Sequence, residues 1–342
     1  MKIWNFIKPY ILAVGISFAI MGIVLWVLGY DVAKAFETLL TVPLSSKTEL
    51  IETLKKFVPL LLVTYAFSIP FKIRLFNIGA FGQMLFGGAI ATIFALMFPA
   101  HIQIPSFIFI PMLAGAALIG GGFFGFIAAW LKVKYNINPI ISTIMLNFVG
   151  VEFVAYITTT HPWKAELSGH PMTKMIPKAG WLPNITSNMH IGIIIVLIIA
   201  FLVYIFMKKS KIGYEITAVG YNPISSGTYG ININRMILLT LTIGGALAGL
   251  AGGIEVMGVH HRLLEGFAHT SGAEFGTFGT LTSLICKGDP IGIPITAFFV
   301  SYLLIGADAM QRSLQVPVEI VFITQALLVI FIVAIRLKSQ RR

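Results

Sequence analysis

Residues 208–253 read KKSKIGYEITAVGYNPISSGTYGININRMILLTLTIGGALAGLAGG, and this stretch determines how the rest of the chain is interpreted. Its first half is polar and basic, whereas its second half is apolar and rich in glycine. Turn-forming residues are predicted to break the first half into short pieces: Gly213, Gly220, Pro223 and Gly230. A compact polar loop between two apolar segments is typical of a membrane protein that presents this loop to a cytoplasmic partner.

The composition of the whole chain indicates a membrane protein. Of its 342 residues, 57% are hydrophobic and only 11% are charged, whereas a soluble domain carries about 25% charged residues. The formal net charge of +11 comes from short basic clusters between apolar runs. That distribution follows the positive-inside rule and gives no reason to expect a nucleic-acid partner.

Apolar segments recur along the chain, and a helix needs about 20 residues to cross the hydrocarbon core. We predict an all-α, polytopic integral membrane bundle with about ten such segments: Tyr10–Tyr30, Phe57–Phe71, Asn77–Phe98, Phe107–Leu131, Pro139–Thr160, His190–Met207, Met236–Val256, Phe275–Cys286, Ile291–Ala309 and Val318–Ile335. The first is interpreted as a retained span and not as a cleaved signal peptide. Phe275–Cys286 is about half of spanning length and is a candidate re-entrant or broken helix.

The lysines and arginines orient these segments. Clusters such as Lys72 with Arg74 and Lys208 with Lys209 predict the cytoplasmic ends, and both termini are expected in the cytoplasm. Residues 1–342 then form a single transmembrane domain. Within it, residues 208–235 form a cytoplasmic loop, and residues 161–189, rich in proline and tryptophan, form an extracytoplasmic loop.

Several short motifs of this chain resemble motifs of one protein family, and they occur in the same order along the chain. The loop motifs Ala218-Val219-Gly220, Asn222-Pro223 and Tyr229-Gly230-Ile231 are similar to the coupling loop of ABC importer permeases for sugars, branched-chain amino acids and nucleosides. Phe76-Asn77-Ile78-Gly79-Ala80 with Gly82-Gln83 is similar to the nucleoside branch, which is associated with basic membrane lipoproteins. That branch commonly has an acidic residue where Phe81 stands. Ile141–Asn147 and Asp289–Ile293 match further family stretches.

The resemblance implies a multi-pass permease of the inner (cytoplasmic) cell membrane that works with several partners. These are ABC ATPase subunits, a second identical or paralogous permease subunit, and an extracytoplasmic substrate-binding lipoprotein. The ATPase-coupling residues that it implies are Gly213, Gly220, Tyr221, Asn222, Pro223 and Tyr229. Bulky replacements of Gly220 and Asn222 are expected to uncouple the complex.

Polar residues within the predicted spans are candidates for the substrate pathway: Asn77, Gln83, Ser142, Asn147 and Glu152. A neutral sugar or nucleoside requires hydrogen-bonding groups but no compensating charge. The alternative is that these groups hydrogen-bond one helix to another. Glu152 favours the functional interpretation, because a charged group at the centre of a membrane helix costs roughly 2.5–3.5 kcal/mol on insertion scales.

The chain shows no pattern for catalysis. It lacks the phosphate-binding motif G-x-x-x-x-G-K-[ST], so ATP and Mg²⁺ are expected on a partner subunit, and no cofactor is expected on this chain. No catalytic residues and no metal site are predicted: Cys286 is the single cysteine, and the adjacent His260 and His261 are poorly spaced as joint ligands.

Because Phe76–Gln83 and Ile291–Pro317 resemble the nucleoside branch, the resemblance implies nucleosides as the favoured cargo, with ribose or another small polar solute as the alternative. An ion-coupled secondary transporter is the alternative from another class. It would need ionisable groups within the membrane and would commonly show repeats, whereas Glu152 is the one clear mid-span acid in the sequence. Neighbouring genes for an ATPase and a lipoprotein would favour the importer.

Overall fold

A computed structural model describes residues 2–98, 104–166, 169–186, 188–269, 271–324, 326–327 and 330–331. Thirteen α-helices are delimited within these residues: α1 Lys2–Val27, α2 Val32–Thr41, α3 Lys47–Phe71, α4 Ala80–Met97, α5 Ser106–Tyr135, α6 Pro139–Thr159, α7 Gly192–Lys209, α8 Lys211–Tyr221, α9 Pro223–Thr228, α10 Ile233–Glu255, α11 Glu265–His269, α12 Ser271–Ile285 and α13 Gly292–Leu314. Two short antiparallel strands, β1 (Asn184–Thr186) and β2 (Met189–His190), lie in the loop before α7. The predicted all-α class is confirmed.

Seven of the described helices are long and apolar enough to cross a membrane: α3, α4, α5, α6, α7, α10 with its extension to His260, and α13. The shorter apolar stretch Leu12–Val27 lies in α1. Helix α12 has 15 residues and is therefore about 22 Å long, which is less than the roughly 30 Å hydrocarbon core. The predicted last span, Val318–Ile335, lies partly outside the described residues, as does the basic C-terminal end. The total of ten segments and the location of the termini stay predictions.

The chain divides into two compact units, and the divisions fall within α3 and α13. One unit comprises Met1–Lys56 and Phe298–Arg342. Its core joins α1, α2 and α13 through Met21, Leu25, Leu39, Leu303 and Met310. Leu39 is buried on α2, whereas its neighbour Leu40 is exposed.

The other unit comprises Phe57–Ala297, and its centre is a close approach of α4, α5 and α10. A side chain at Gly249 would overlap the carbonyl oxygen of Ala117 on α5, and one at Gly245 would overlap that of Gly121. Glycines of α10 therefore lie against α5, and small residues spaced four apart allow two helix backbones to approach this closely. This packing fixes the helices that carry the candidate site.

The loop after α7 differs from its prediction. Gly213 and Gly220 do not break it, because both lie within the continuous helix α8. Each is a glycine because the backbone of another segment passes too close for a side chain: Phe206 at Gly213 and Lys72 at Gly220. The other two predicted breaks are correct: the chain turns at Asn222-Pro223 and again after Thr228, where Gly230 adopts a φ of 82°.

Candidate coupling surface and solute niche

Helices α8 and α9 display a cluster of large side chains. Tyr214, Tyr221, Ile224 and Tyr229 are between 71% and 88% exposed. The three tyrosines line a groove of about 550 Å³, together with Lys211, Glu215 and Ser225, and Ile224 lies on the same exposed face outside the groove. We call the exposed face of residues 211–231 the coupling surface.

Local capping fixes the shape of this surface. Ser210 Oγ accepts a hydrogen bond from Gly213 N at 3.0 Å and caps α8, and Asn222 Oδ1 accepts one from Ser225 N at 3.1 Å and caps α9. Pro223 occupies the first turn of α9, where its missing N–H costs nothing. The predicted coupling residues thus have two roles: Gly213, Gly220, Asn222 and Pro223 shape the backbone, whereas Tyr221 and Tyr229 add large exposed side chains. Asn222 and Pro223 are exposed as well.

The predicted pathway residues Asn77 and Gln83 form a closed pair. Asn77 Nδ2 donates to Gln83 Oε1, and Gln83 Nε2 donates to Asn77 Oδ1, both at 2.9 Å. Asn77 Nδ2 also donates to the carbonyl oxygen of Ala66 on α3 at 3.1 Å. Both side chains are buried, with exposures of 0% and 1%, so this pair holds the start of α4 against α3.

Asn147 lies in a more open setting. Its Oδ1 accepts from Gly82 N at 2.7 Å, and its Nδ2 donates to the carbonyl oxygen of Ile78 at 3.1 Å. An amide has two N–H donors and two acceptor lone pairs, so one N–H and one lone pair of Asn147 stay available. The side chain is half-buried and borders a cavity.

This cavity, which we call the solute niche, has a volume of about 240 Å³. It lies between α4, α6 and α12 and combines an aromatic ring, an amide and two hydroxyls. Its lining residues are Ile78, Phe81, Asn147, Gly276, Thr277, Thr280 and Leu281. Sequence analysis missed the contribution of α12, although Gly276, Thr277 and Thr280 have the spacing of one polar face on a helix.

Comparison with known proteins identifies the family. The family model described as "Branched-chain amino acid transport system / permease component" matches residues 49–335. The chain belongs to this family. The nucleoside ABC transporter permease protein NupB of Lactococcus lactis is 31% identical, over 94% of this chain and 89% of the relative. The guanosine ABC transporter permease protein NupP of Bacillus subtilis is 30% identical, over 94% and 91%. The glucose ABC transporter permease protein TsgB13 of Haloferax volcanii is 28% identical, over 94% and 86%.

These matches and the apolar helices make the chain a multi-pass cell-membrane protein and an ABC importer permease. The similar proteins are permease components and not enzymes. Membership of the family implies, in general terms, ATPase partners and a substrate-binding protein.

The permease places its other two predicted pathway residues differently. Ser142 is buried, and its hydroxyl donates to the carbonyl oxygen of Pro139 in its own helix at 3.3 Å. Glu152 is exposed on a stripe of α6 that also carries Met145, Phe148 and Tyr156. Because an α-helix turns about 100° per residue, Asn147 and Glu152 point about 140° apart around α6. They therefore face different surroundings.

A second acid escaped the sequence analysis. Glu255 is buried at the end of α10, and its Oε2 lies 3.6 Å from Nε2 of His260. The two residues meet across a π-helical turn, Val256–His260, in which residues five apart replace the usual four. An α-helical pattern could not predict this pairing. His261 points elsewhere and stacks on Trp181 at 3.8 Å between ring centroids.

Proposed function

We propose that this permease moves nucleosides into the cell as part of an ATP-driven importer. The observation that carries the proposal is the coupling surface, where three tyrosines and an isoleucine are exposed on a capped pair of short helices. Exposed clusters of this kind mark sites of protein–protein interaction, and tyrosine is enriched at such interfaces.

A separate ATPase subunit binds ATP and Mg²⁺ and docks on the coupling surface. The permease has no phosphate-binding loop of its own. Lys211 is exposed beside the groove and 3.9 Å from Glu215, so charged groups rim the aromatic cluster. This arrangement of an apolar centre with a polar rim is the usual anatomy of an interface.

The solute niche supplies the chemistry that a nucleoside requires. A base can stack on the Phe81 ring, and such stacking is sequence-tolerant because every base has a π-face. Asn147 offers one donor and one acceptor to the edge of a base or to a ribose hydroxyl. We assign the solute contact to Asn147 and assign Asn77, Gln83 and Ser142 to holding the helices that border the route.

The exposed stripe of α6 faces a second permease subunit across a water-filled route. Glu152 has no ion-pair partner in the part of the chain that the structure describes. If the Glu152 carboxylate faced lipid, it would carry the free-energy cost of a charge within the membrane. It is therefore expected to face water or protein. The second subunit is identical or paralogous, and a substrate-binding lipoprotein docks on the side of residues 161–189.

Uptake of labelled nucleosides by cells that carry the complete operon tests the cargo. Adenosine and guanosine should compete with the labelled solute, whereas ribose should not. Competition by ribose alone would instead support a sugar importer, the candidate that the 28% identical glucose permease protein favours.

A second experiment tests the coupling surface. Ile224→Asp places a charge on an 84% exposed residue and should abolish ATPase association while the permease still folds. Lys209→Asp changes an exposed residue that lies just outside the coupling surface and is the matched control. Retention of the ATPase by Ile224→Asp would contradict the assignment. Gly220 is a poorer probe, because a bulky residue there also disrupts its packing on Lys72.

A further inference from the structure

The turn between α12 and α13, residues 287–290, is a sharply defined corner. Lys287 and Gly288 both have positive φ, at 54° and 61°, and Gly288 N donates to the carbonyl oxygen of Ser283 at 2.8 Å. Asp289 Oδ2 then accepts from Ile291 N at 3.3 Å and from Gly292 N at 3.2 Å, which caps α13. Because this turn is hydrogen-bonded to α12 on one side and to α13 on the other, we expect it to move together with the C-terminal end of α12.

An ion pair joins this corner to the base of the coupling surface. Lys208 Nζ lies 3.1 Å from Asp289 Oδ1, and Lys208 is in the last turn of α7, immediately before α8. Burial raises the pKa of Asp289, but the hydrogen bond from Lys208 and those from Gly292 and Ile291 outweigh it, so the pKa lies below its ordinary value. The carboxylate is therefore charged at neutral pH, as the ion pair requires.

A second connection runs through Lys72, after α3. Its Nζ donates to the carbonyl oxygen of Lys287 at 3.2 Å. Its own carbonyl oxygen lies against Gly220 of α8, so closely that any side chain at Gly220 would overlap it. The backbone of Lys72 thus contacts α8, and its side chain contacts the 287–290 turn.

Helix α12 connects the 287–290 turn to the solute niche. Helix α12 ends at the 287–290 turn and contributes Gly276, Thr277 and Thr280 to the niche. A Cβ at Gly276 would lie 2.6 Å from Phe81 Cβ, so α12 and the start of α4 are in direct contact there. A displacement of the turn is transmitted to the niche, because packed helices shift as units.

We propose that Lys72, Lys208 and Asp289 are positioning residues that transmit movement of the coupling surface through the 287–290 turn to α12 and the solute niche. The proposal rests on the proposed function and adds a mechanical path within one permease subunit. None of the three residues lines the solute niche or the coupling-surface groove. Their role is therefore separable from solute binding and from ATPase docking.

The test uses the complete complex of permease, ATPase and binding protein in proteoliposomes. Lys208→Met and Asp289→Asn are each expected to lower the ratio of solute imported to ATP hydrolysed by about fivefold or more, the lower range of coupling between sites. The double variant should be no worse than either single one, because the residues act as a pair. Lys209→Met, which alters the adjacent lysine, is the control and should match the wild type.

The outcomes separate this inference from the proposed function. If the wild-type complex imports solute with ATP but both single variants keep its import-to-ATPase ratio, the path is wrong and the proposed function stands. If the wild type imports no nucleoside, the proposed function fails first, and the ratio is measured with the solute that it does import. A bifunctional thiol reagent joining Lys208→Cys to Asp289→Cys in a Cys286→Ser background covers the case of variants that do not assemble. If import survives this cross-link, positions 208 and 289 stay together during transport, as the proposal requires. If import is lost on cross-linking and restored by cleaving the reagent, the two positions must separate during transport, and the proposal is overturned.

Discussion

Asn77 and Asn147 are both asparagines beside the start of α4, yet their surroundings differ. Asn77 is fully buried and uses both of its N–H groups, towards Gln83 and Ala66. Asn147 uses one N–H and one lone pair on the backbone of α4 and borders the solute niche with the rest. A polar residue in the membrane bundle can thus serve packing or solute contact, and its access to a cavity, together with its remaining hydrogen-bonding capacity, decides which.

The largest expected effect comes from separating α4 from α6, because this removes the two backbone hydrogen bonds of Asn147 and its close packing on α4. A Cβ at Gly82 would lie 2.6 Å from Asn147 Cα and 2.8 Å from the carbonyl oxygen of Leu146. Gly82→Val should therefore destabilise the permease by at least about 3 kcal/mol, the upper range for overpacking. Gly115 on α5 has nothing within 4 Å of its Cβ position, so Gly115→Val is the matched control. Thermal unfolding of the purified permease measures both, and equal melting temperatures would contradict the close approach.

Breaking the closed pair should cost less. Gln83→Leu leaves the buried amide of Asn77 without one of its partners, and an unsatisfied buried group costs about 1–3 kcal/mol. The melting temperature should fall, while the KM for nucleoside of the protein that remains folded should not change. The double variant Asn77→Leu/Gln83→Leu should recover part of the loss, because no amide of the pair is then left unpaired. A changed solute preference in Gln83→Leu would mean that the pair is not closed.

Removing the ring from the open niche should affect transport and leave stability nearly unchanged. Phe81→Ala keeps the Cβ that contacts Gly276 but deletes the stacking surface. Stacking of a base on an aromatic side chain is worth about 1–3 kcal/mol, so the KM for nucleosides should rise about 5- to 150-fold. Phe81→Trp should retain uptake. Unchanged nucleoside uptake by Phe81→Ala would show that the Phe81 ring does not contact the solute.

The sequence predicted the features that depend on local pattern. Apolar runs of spanning length became helices, and the four-residue spacing of Gly245 and Gly249 is typical of a close helix contact, which the structure shows to be with α5. It also predicted that turn-forming residues break the polar half of residues 208–253 into short pieces, which is correct at Pro223 and Gly230 but wrong at Gly213 and Gly220. Gly213 and Gly220 serve close packing, on the end of α7 and on Lys72 respectively, so local turn preferences could not distinguish them from Gly230.

Features that depend on tertiary contacts could not be predicted. The ion pair of Lys208 with Asp289 joins residues far apart in the chain, and Glu255 meets His260 across a π-helical turn. Asn147 and Glu152 were grouped by polarity, although helical geometry alone separates them by about 140°. That separation could have been calculated from the sequence, whereas the partners of each side chain required the structure.

The most direct test of ATP-driven import through the coupling surface is nucleoside accumulation in proteoliposomes that contain the complete complex. ATP is supplied on the side that carries α8 and α9, and wild type is compared with Ile224→Asp. We predict concentrative uptake by the wild type only with ATP, and none by Ile224→Asp. Accumulation without nucleotide, or equal ATP-driven uptake by both proteins, would contradict the claim that an ATPase drives transport through this surface.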